Sequence, residues 1–437
     1  MWQRLRQLPL PALVAIVALP LLLLVGGGLA LVAALPRTPV AVNPSPSVSL
    51  SPEQCAALDL PAGCTSPSPS AEVTPSPSES PSPSASATAS SAPAPVPSKS
   101  APRPAPTQAG CPAVSSGPPP TMSASFPTAL AFAPDGRLFW AERTGTVKVW
   151  QGGAAHTFAT VPASTSGERG LLGLALTPSF ASDHLVYAFY SRSDDTTQQR
   201  IVRWTDCGGT ATNYQVIVDN LPAGTSGNHK GGRIAFSPDG YLFATIGDNG
   251  VPDAAQDNCD ARGKVLRFTA SGQQAGGICG AVFAKGLRNP FGLAIAPDGT
   301  VAVTNNGPSR DNGIDCNACG DIFDIVGRDP GKVFQWPNCW GYNHQVSGRP
   351  SCAGMQGPNY STEGGPYAKS DPYFIAPTGL TYANGHWLFC VNGSDKVYQY
   401  NFQGNVSDTG LGACWLDIKQ ATDGHLYTSS QNAITRH

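Results

Sequence analysis

Charge is what this 437-residue chain has least of. Lys, Arg, Asp and Glu together make up 13% of it, about half the usual share. The net charge is −2 and no basic run occurs, so nucleic acid is excluded as a partner class. The deficit is sharpest between Pro36 and Pro120, which holds seven charged residues but 22 of the 42 prolines. A tract of Pro, Ser, Ala and Thr, as in Ser66-Pro-Ser-Pro-Ser70, cannot bury a core and reads as a disordered, polyproline-like linker. No charge at all occurs from Leu8 to Leu35, after Arg4 and Arg6. That stretch is long enough to span a bilayer, and the two arginines would stay cytoplasmic and send the rest outward. A cleaved signal peptide is the rival, with small residues at Gly28 and Ala30 or at Val32 and Ala34. The apolar stretch is longer than a usual signal core, so an uncleaved transmembrane helix is expected. Both readings export the protein, and cleavage would leave it secreted.

What the chain has in quantity is cysteine and aromatics. Twelve cysteines, an even number in an exported chain, point to disulfides. Cys55 and Cys64 would close a small loop in the linker. Cys316 and Cys319 with Cys339 and Cys352 could instead bind zinc, but a ribbon needs a second close pair and twelve residues separate the latter two. The pairings stay open. Eight Trp, 12 Tyr and 16 Phe are enough for a sizeable core beyond the linker.

From about Thr121 short β-rich runs alternate with turns, and one frame repeats. Ala133-Pro-Asp-Gly-Arg-Leu-Phe139, Ser237-Pro-Asp-Gly-Tyr-Leu-Phe243 and Ala296-Pro-Asp-Gly-Thr-Val-Ala302 share it. Ala421 to Tyr427 and Ala383 to Phe389 fit it too, and Ala181 to Tyr187 is a looser sixth copy. Each reads as strand, Asp-Gly turn, strand. Six such copies, with about four strands each, predict an all-β, six-bladed β-propeller. The expected domains are an anchor over 1–35, a linker over 36–120 and the propeller over 121–437. The long gap between Asp298 and Asn384 must hold an insertion. His184, His386 and His425 follow the turns and are expected on the surface.

The third copy is flanked by the residues that carry chemistry, His229-Lys230-Gly231-Gly232-Arg233 before it and Gly247-Asp248 after it. A hairpin returns to the side it left from, so His229 and Asp248 should meet on one rim. A carboxylate that fixes an imidazole's tautomer makes a general base. A lone histidine before a strand is more often a polar loop residue, and on the rim it should be exposed. Three further stretches break the repeat: Gly167 to Gly173 around Glu168, Gly286-Leu-Arg288-Asn289-Pro290, and Asn305-Asn306-Gly307-Pro308-Ser309-Arg310-Asp311. The turn carbonyls of the last would suit a hard cation such as Ca²⁺.

In this order, His-x-Gly-Gly-Arg, Pro-Asp-Gly, Gly-Asp, Gly-Leu-Arg-Asn-Pro and Asn-Gly-Pro resemble the glucose/sorbosone dehydrogenase family of PQQ-dependent sugar dehydrogenases. Gly170 to Leu176 and Gln335-Trp336-Pro337 fit it as well. The resemblance covers about Phe126 to the C-terminus. It implies a six-bladed propeller that oxidises an aldose by hydride transfer to PQQ. In it, His229 is the base for the sugar's anomeric hydroxyl, Asp248 orients the histidine, and Arg288 faces the quinone oxygens. The carbonyls of Gly307 and Pro308 match Ca²⁺ ligands, while Asn289, Thr378 and Glu168 fall at cofactor contacts. It further implies a small sugar substrate and a membrane or extracellular electron acceptor, with the propeller at the outer cell surface.

One departure stands out. Where the family's best-studied type has paired arginines to hold the PQQ carboxylates, this chain has Ala413-Cys-Trp-Leu-Asp417, and the preceding blade offers Lys396. The alternative is therefore a non-catalytic propeller that binds carbohydrate or protein at the cell surface.

Overall fold

The computed structural model describes residues 111–437 apart from 113, 115, 309–319, 343, 363–375 and 403. The expected anchor, most of the linker with Cys55 and Cys64, and the segment with Arg310, Asp311, Cys316 and Cys319 lie outside the described residues. Among the described residues, no helix is long and apolar enough to cross a membrane.

Among the described residues, six sheets of four or five strands form, one for each copy of the repeat, so the propeller is six-bladed. They are antiparallel except where Lys332–Val333 adds a parallel strand to blade 3, and Cys339–Trp340 pairs with His344–Gln345 as a separate ribbon. Blade 1 is Pro127–Phe132, Leu138–Glu142, Thr146–Gln151 and Ala154–Thr160. Blade 3 begins with Ile234–Phe236 and Leu242–Ile246, and blade 4 with Pro290–Ile295 and Val301–Asn305. The ring closes in blade 6, where Met122 and Ser123 pair with Ile434 and Ala433. The N-terminal strand thus becomes the outer strand of the last blade and ties the two ends of the ring together.

Alternate residues of a strand face opposite seams, which explains the continuous apolar runs. Phe139 and Ala141 pack with Leu174, Val186 and Trp204 of blade 2. Leu138 and Trp140, their sequence neighbours, pack with Tyr427 and Ile434 of blade 6. Each of the other four seams has its own buried apolar cluster.

The repeat's turns explain its sequence. In four copies the alanine or serine N–H bonds the carbonyl four residues on, and the glycine N–H bonds back to that first residue. The glycine then sits at φ 86 to 89°, where a Cβ is unfavourable. The blade 5 copy is a two-residue Asn384-Gly385 turn, both at positive φ. The loose blade 2 copy puts His184 at the glycine's place, at φ 54°. His425 is exposed, as expected, while His184 and His386 are half-buried.

Among the described residues, disulfides join Cys111–Cys207, Cys259–Cys279, Cys339–Cys352 and Cys390–Cys414. The third removes Cys339 and Cys352 from any zinc site. The first ties the end of the proline-rich tract to blade 2, and Tyr427 Oη donates to the Pro119 carbonyl at 2.7 Å.

At the axis, Arg233 leaves blade 3 and binds three other blades. Its Nη1 donates to the Thr128 and Leu172 carbonyls and its Nη2 to the Leu416 carbonyl. Its guanidinium lies 4.8 Å from the centre of the Phe291 ring in blade 4.

Candidate active site

The repeat's turns join first to second strands at one end of each blade. The other end therefore collects residues that precede a first strand or follow a second. Glu168, His229, Arg288, Asn289 and Gly307 occupy such positions, Thr378 is the second residue of the first strand of blade 5, Pro377–Ala383, and all six line one cavity of about 450 Å³. Asn306, Asp321, Asn392 and Leu416 complete much of its wall. Of the eight residues expected in a site, the remaining two stand just behind. Asp248 is fully buried under His229, and Pro308 follows Gly307 as a buried residue.

His229 is not an exposed rim residue: 5% of it is accessible. Its Nδ1 meets Asp248 Oδ1 at 2.7 Å, and its backbone N–H donates to Glu168 Oε2 at 2.7 Å. The backbone turns His229 inward. His229 is held at φ 59°, a conformation that costs a non-glycine residue about 1–2 kcal/mol and persists only where the surroundings impose it. Glu168 Oε2 also accepts from the Lys230 N–H and Asn289 Nδ2, each at 3.3 Å. The carboxylate is thus a clamp between two loops. The Lys230 side chain is fully buried, with Nζ donating to the Ala223 carbonyl and to Asn249 Oδ1, and burial pushes its ammonium down to about 8.

Asp248 accepts from three groups. Gly250 N–H shares Oδ1 at 2.9 Å, and Trp336 Nε1 donates to Oδ2 at 2.8 Å. Trp336 comes from the long insertion within blade 4, and the Arg288 guanidinium lies 5.5 Å from its ring centre. Sequence reasoning noted Gln335-Trp336-Pro337 without giving it a role. Asn305 Oδ1 fixes the arginine's backbone by accepting from the N–H of Arg288 and of Asn289 at 3.1 and 2.9 Å. Asp321 does the same for the next loop, accepting from the N–H of Gly307 at 2.7 Å and of Ala376 at 2.8 Å.

An imidazole with one nitrogen on a buried carboxylate and the ring facing a cavity can accept a proton. A guanidinium on the same wall can stabilise negative charge that develops beside it. The departure noted in the sequence also has a structural outcome. Asp417 turns away from the cavity, accepting from the Leu130 N–H at 2.8 Å and pairing with Lys419 at 3.1 Å. Lys396 pairs with Asp408 at 2.6 Å and does not line the cavity. Among the described lining residues the cation is Arg288.

The histidine's seat is tight. A Cβ at Gly247 would lie 2.2 Å from the His229 carbonyl oxygen and 3.0 Å from its Cβ. Gly247→Ala should therefore push His229 off its carboxylate and cost about a hundredfold in turnover, with a lower melting temperature. Full turnover together with an unchanged melting curve would show that the seat yields freely.

The glucose/sorbosone dehydrogenase family model matches residues 124–435. Aldose sugar dehydrogenase YliI of Escherichia coli (strain K12) is 26% identical over 329 residues, 69% of this chain and 86% of that protein. A putative glucose dehydrogenase from Thermus thermophilus is similar in structure, with a TM-score of 0.60 and 27% identity over 72% of this chain and 99% of that one. The PQQ-bound aldose sugar dehydrogenase of Streptomyces coelicolor gives a TM-score of 0.59 and 26% identity, covering 74% of this chain and 95% of its own. With the ordered motifs lining one cavity of a six-bladed propeller, the chain belongs to the glucose/sorbosone dehydrogenase family.

Proposed function

We propose that this protein is a PQQ-dependent aldose dehydrogenase that faces outward from a membrane and passes electrons to a membrane or extracellular acceptor. The observation that carries this reading is the His229–Asp248–Trp336 chain, with Arg288 on the same cavity wall. The donor set fits the quinone end of PQQ, with Arg288 and Asn289 as donors and His229 as base. The cavity's size is in the range of cofactor sites. Export is supported by the disulfides among the described residues.

When bound, PQQ would supply the two-electron acceptor for the anomeric carbon, and Ca²⁺ a Lewis acid beside it. The chain's own residues do the rest. Nδ1–H of His229 donates to Asp248, which leaves Nε2 as the basic nitrogen for the proton of the anomeric hydroxyl. Asp248 then stabilises the imidazolium, and its bonds to Gly250 and Trp336 keep it from turning away. Arg288 adds positive charge where negative charge grows. Asn289 and Thr378 would orient the cofactor, while Glu168 acts by holding the His229 and Asn289 loops together. Gly307 and Pro308 would bind Ca²⁺ through carbonyls, with the Asp321 carboxylate adding negative charge nearby.

A second reading, a propeller that binds a glycan or protein without catalysis, is favoured by one observation. The stretch Ala413-Cys-Trp-Leu-Asp417 has no arginine where the resembled type has a pair to hold the cofactor's carboxylates, and charge-assisted bonds of that kind contribute about 1.5–3 kcal/mol each. One titration separates the two. Saturating PQQ with Ca²⁺ should raise the melting temperature by ordinary linkage, about 2.7 kcal/mol at a hundredfold excess over Kd, and EDTA should reverse it. Sugar alone should do almost nothing. A melting curve that ignores PQQ and Ca²⁺ would remove the dehydrogenase reading.

A further inference from the structure

Beside the wall that carries Arg288 is a second, small cavity, between blade 4 and the insertion that supplies Trp336. The space open to a water's centre is about 10 Å³, that of one water molecule. Asn305, Asp324, Trp336 and Trp340 are among the residues around it. Asp324, on the strand Ile322–Gly327, is fully buried, and neither of its carboxylate oxygens meets a protein donor. Asn305 Nδ2 is likewise unmatched. Its orientation is fixed, because Oδ1 already accepts from the N–H groups of Arg288 and Asn289. The amide favours the charged form of Asp324 without reaching hydrogen-bonding geometry.

A buried acceptor and a buried donor without partners are both costly, and they border the same one-water space. Water serves both, accepting from the amide N–H and donating to the carboxylate. A metal ion would meet the hydrogens of the amide and gain no ligand from them. We propose that Asp324 and Asn305 hold one internal water between them, and that this bridge makes Asp324 a positioning residue for Arg288 and Asn289. The catalytic consequence rests on the dehydrogenase reading, but the bridge does not.

Burial pushes the Asp324 carboxyl up from 3.8 to about 7, against the opposing pull of Asn305 and of Lys332, the charged group that acts on it. The folded protein then keeps this proton to a higher pH than the unfolded chain. The stability this gives is fully present below the unfolded value and is lost as pH rises through about 7.

The test compares the full chain with its Asp324→Asn and Asp324→Leu variants. A crystal structure of the unsubstituted chain should show one water bonded to both Asp324 and Asn305. The melting temperature of Asp324→Asn should gain on the unsubstituted chain between pH 4.5 and 8. Without PQQ, hydrogen exchange at the Arg288 and Asn289 amides should be faster in Asp324→Leu than in Asp324→Asn. With PQQ, kcat should be about tenfold lower in the leucine variant than in the asparagine variant, with the sugar KM unchanged. Should leucine prevent folding, Asp324→Ala takes its place. Equal amide exchange in the two variants, a constant melting gap, or a crystal without that water overturns the proposal. A chain that binds no PQQ yet shows the water and the exchange difference refutes only the dehydrogenase reading.

Discussion

Sugar-dependent dye reduction by the PQQ-loaded protein should fall by about 10²–10⁴-fold in His229→Ala, the range a positioned general base contributes. The fold should survive, because the substitution orphans little. Asp248 keeps the Gly250 N–H on Oδ1 and the Trp336 Nε1–H on Oδ2. The Glu168 clamp on the backbone N–H of residue 229 does not involve the imidazole. PQQ binding should persist, since the groups proposed to hold it remain. Turnover and a PQQ absorbance titration on the same sample check this. A variant that binds PQQ and turns over at near-full rate would show that the proton leaves by another group.

Asp248→Asn should lose nearly as much, about 10³-fold, although it keeps every heavy atom in place. The amide has one acceptor where the carboxylate had two, and three donors point at it. If the new NH₂ faces Trp336, a fully buried indole N–H is left without an acceptor, which costs about 1–3 kcal/mol. If it faces His229 instead, the unmatched donor is the Gly250 N–H, on a residue that is only half-buried and can meet solvent. The second arrangement wins. It makes Nδ1 the acceptor and puts the proton on Nε2, the wrong tautomer for a base. The equivalent change in a Ser-His-Asp triad has an effect of this kind, near 10⁴-fold. A loss in kcat with little change in melting temperature is expected. Turnover within tenfold of the unsubstituted protein would mean that the asparagine takes the first arrangement.

The parts of this fold that were legible in the sequence are those encoded locally. The Pro-Asp-Gly frame names both the turn and the residue that must take positive φ, so the blade count followed from it. The pairing of His229 with Asp248 followed from the same hairpin. Trp336 was not readable as a partner of Asp248, because it lies 88 residues away in an insertion whose path no local pattern fixes. Met122 and Ser123 close the ring as a strand of two residues, too short to show a period. Nothing in the local sequence marks Asp324, which is buried by the packing of the insertion over its strand. Cysteine pairing was open for the same reason, since Cys111 reaches Cys207 across 96 positions.

Arg233 changes how the six blades relate as a thermodynamic system. In a linear repeat array each unit touches only its neighbours, so stability is a sum of unit and nearest-neighbour terms. Here one guanidinium in blade 3 holds carbonyls of blades 1, 2 and 6, and blades 1 and 6 are not its neighbours around the ring. Loss of any of these strands at the axis leaves a buried cation short of an acceptor. Next-nearest and opposite blades are therefore coupled directly, and the propeller is expected to melt as a single cooperative unit whose weakest blade is sustained by the others.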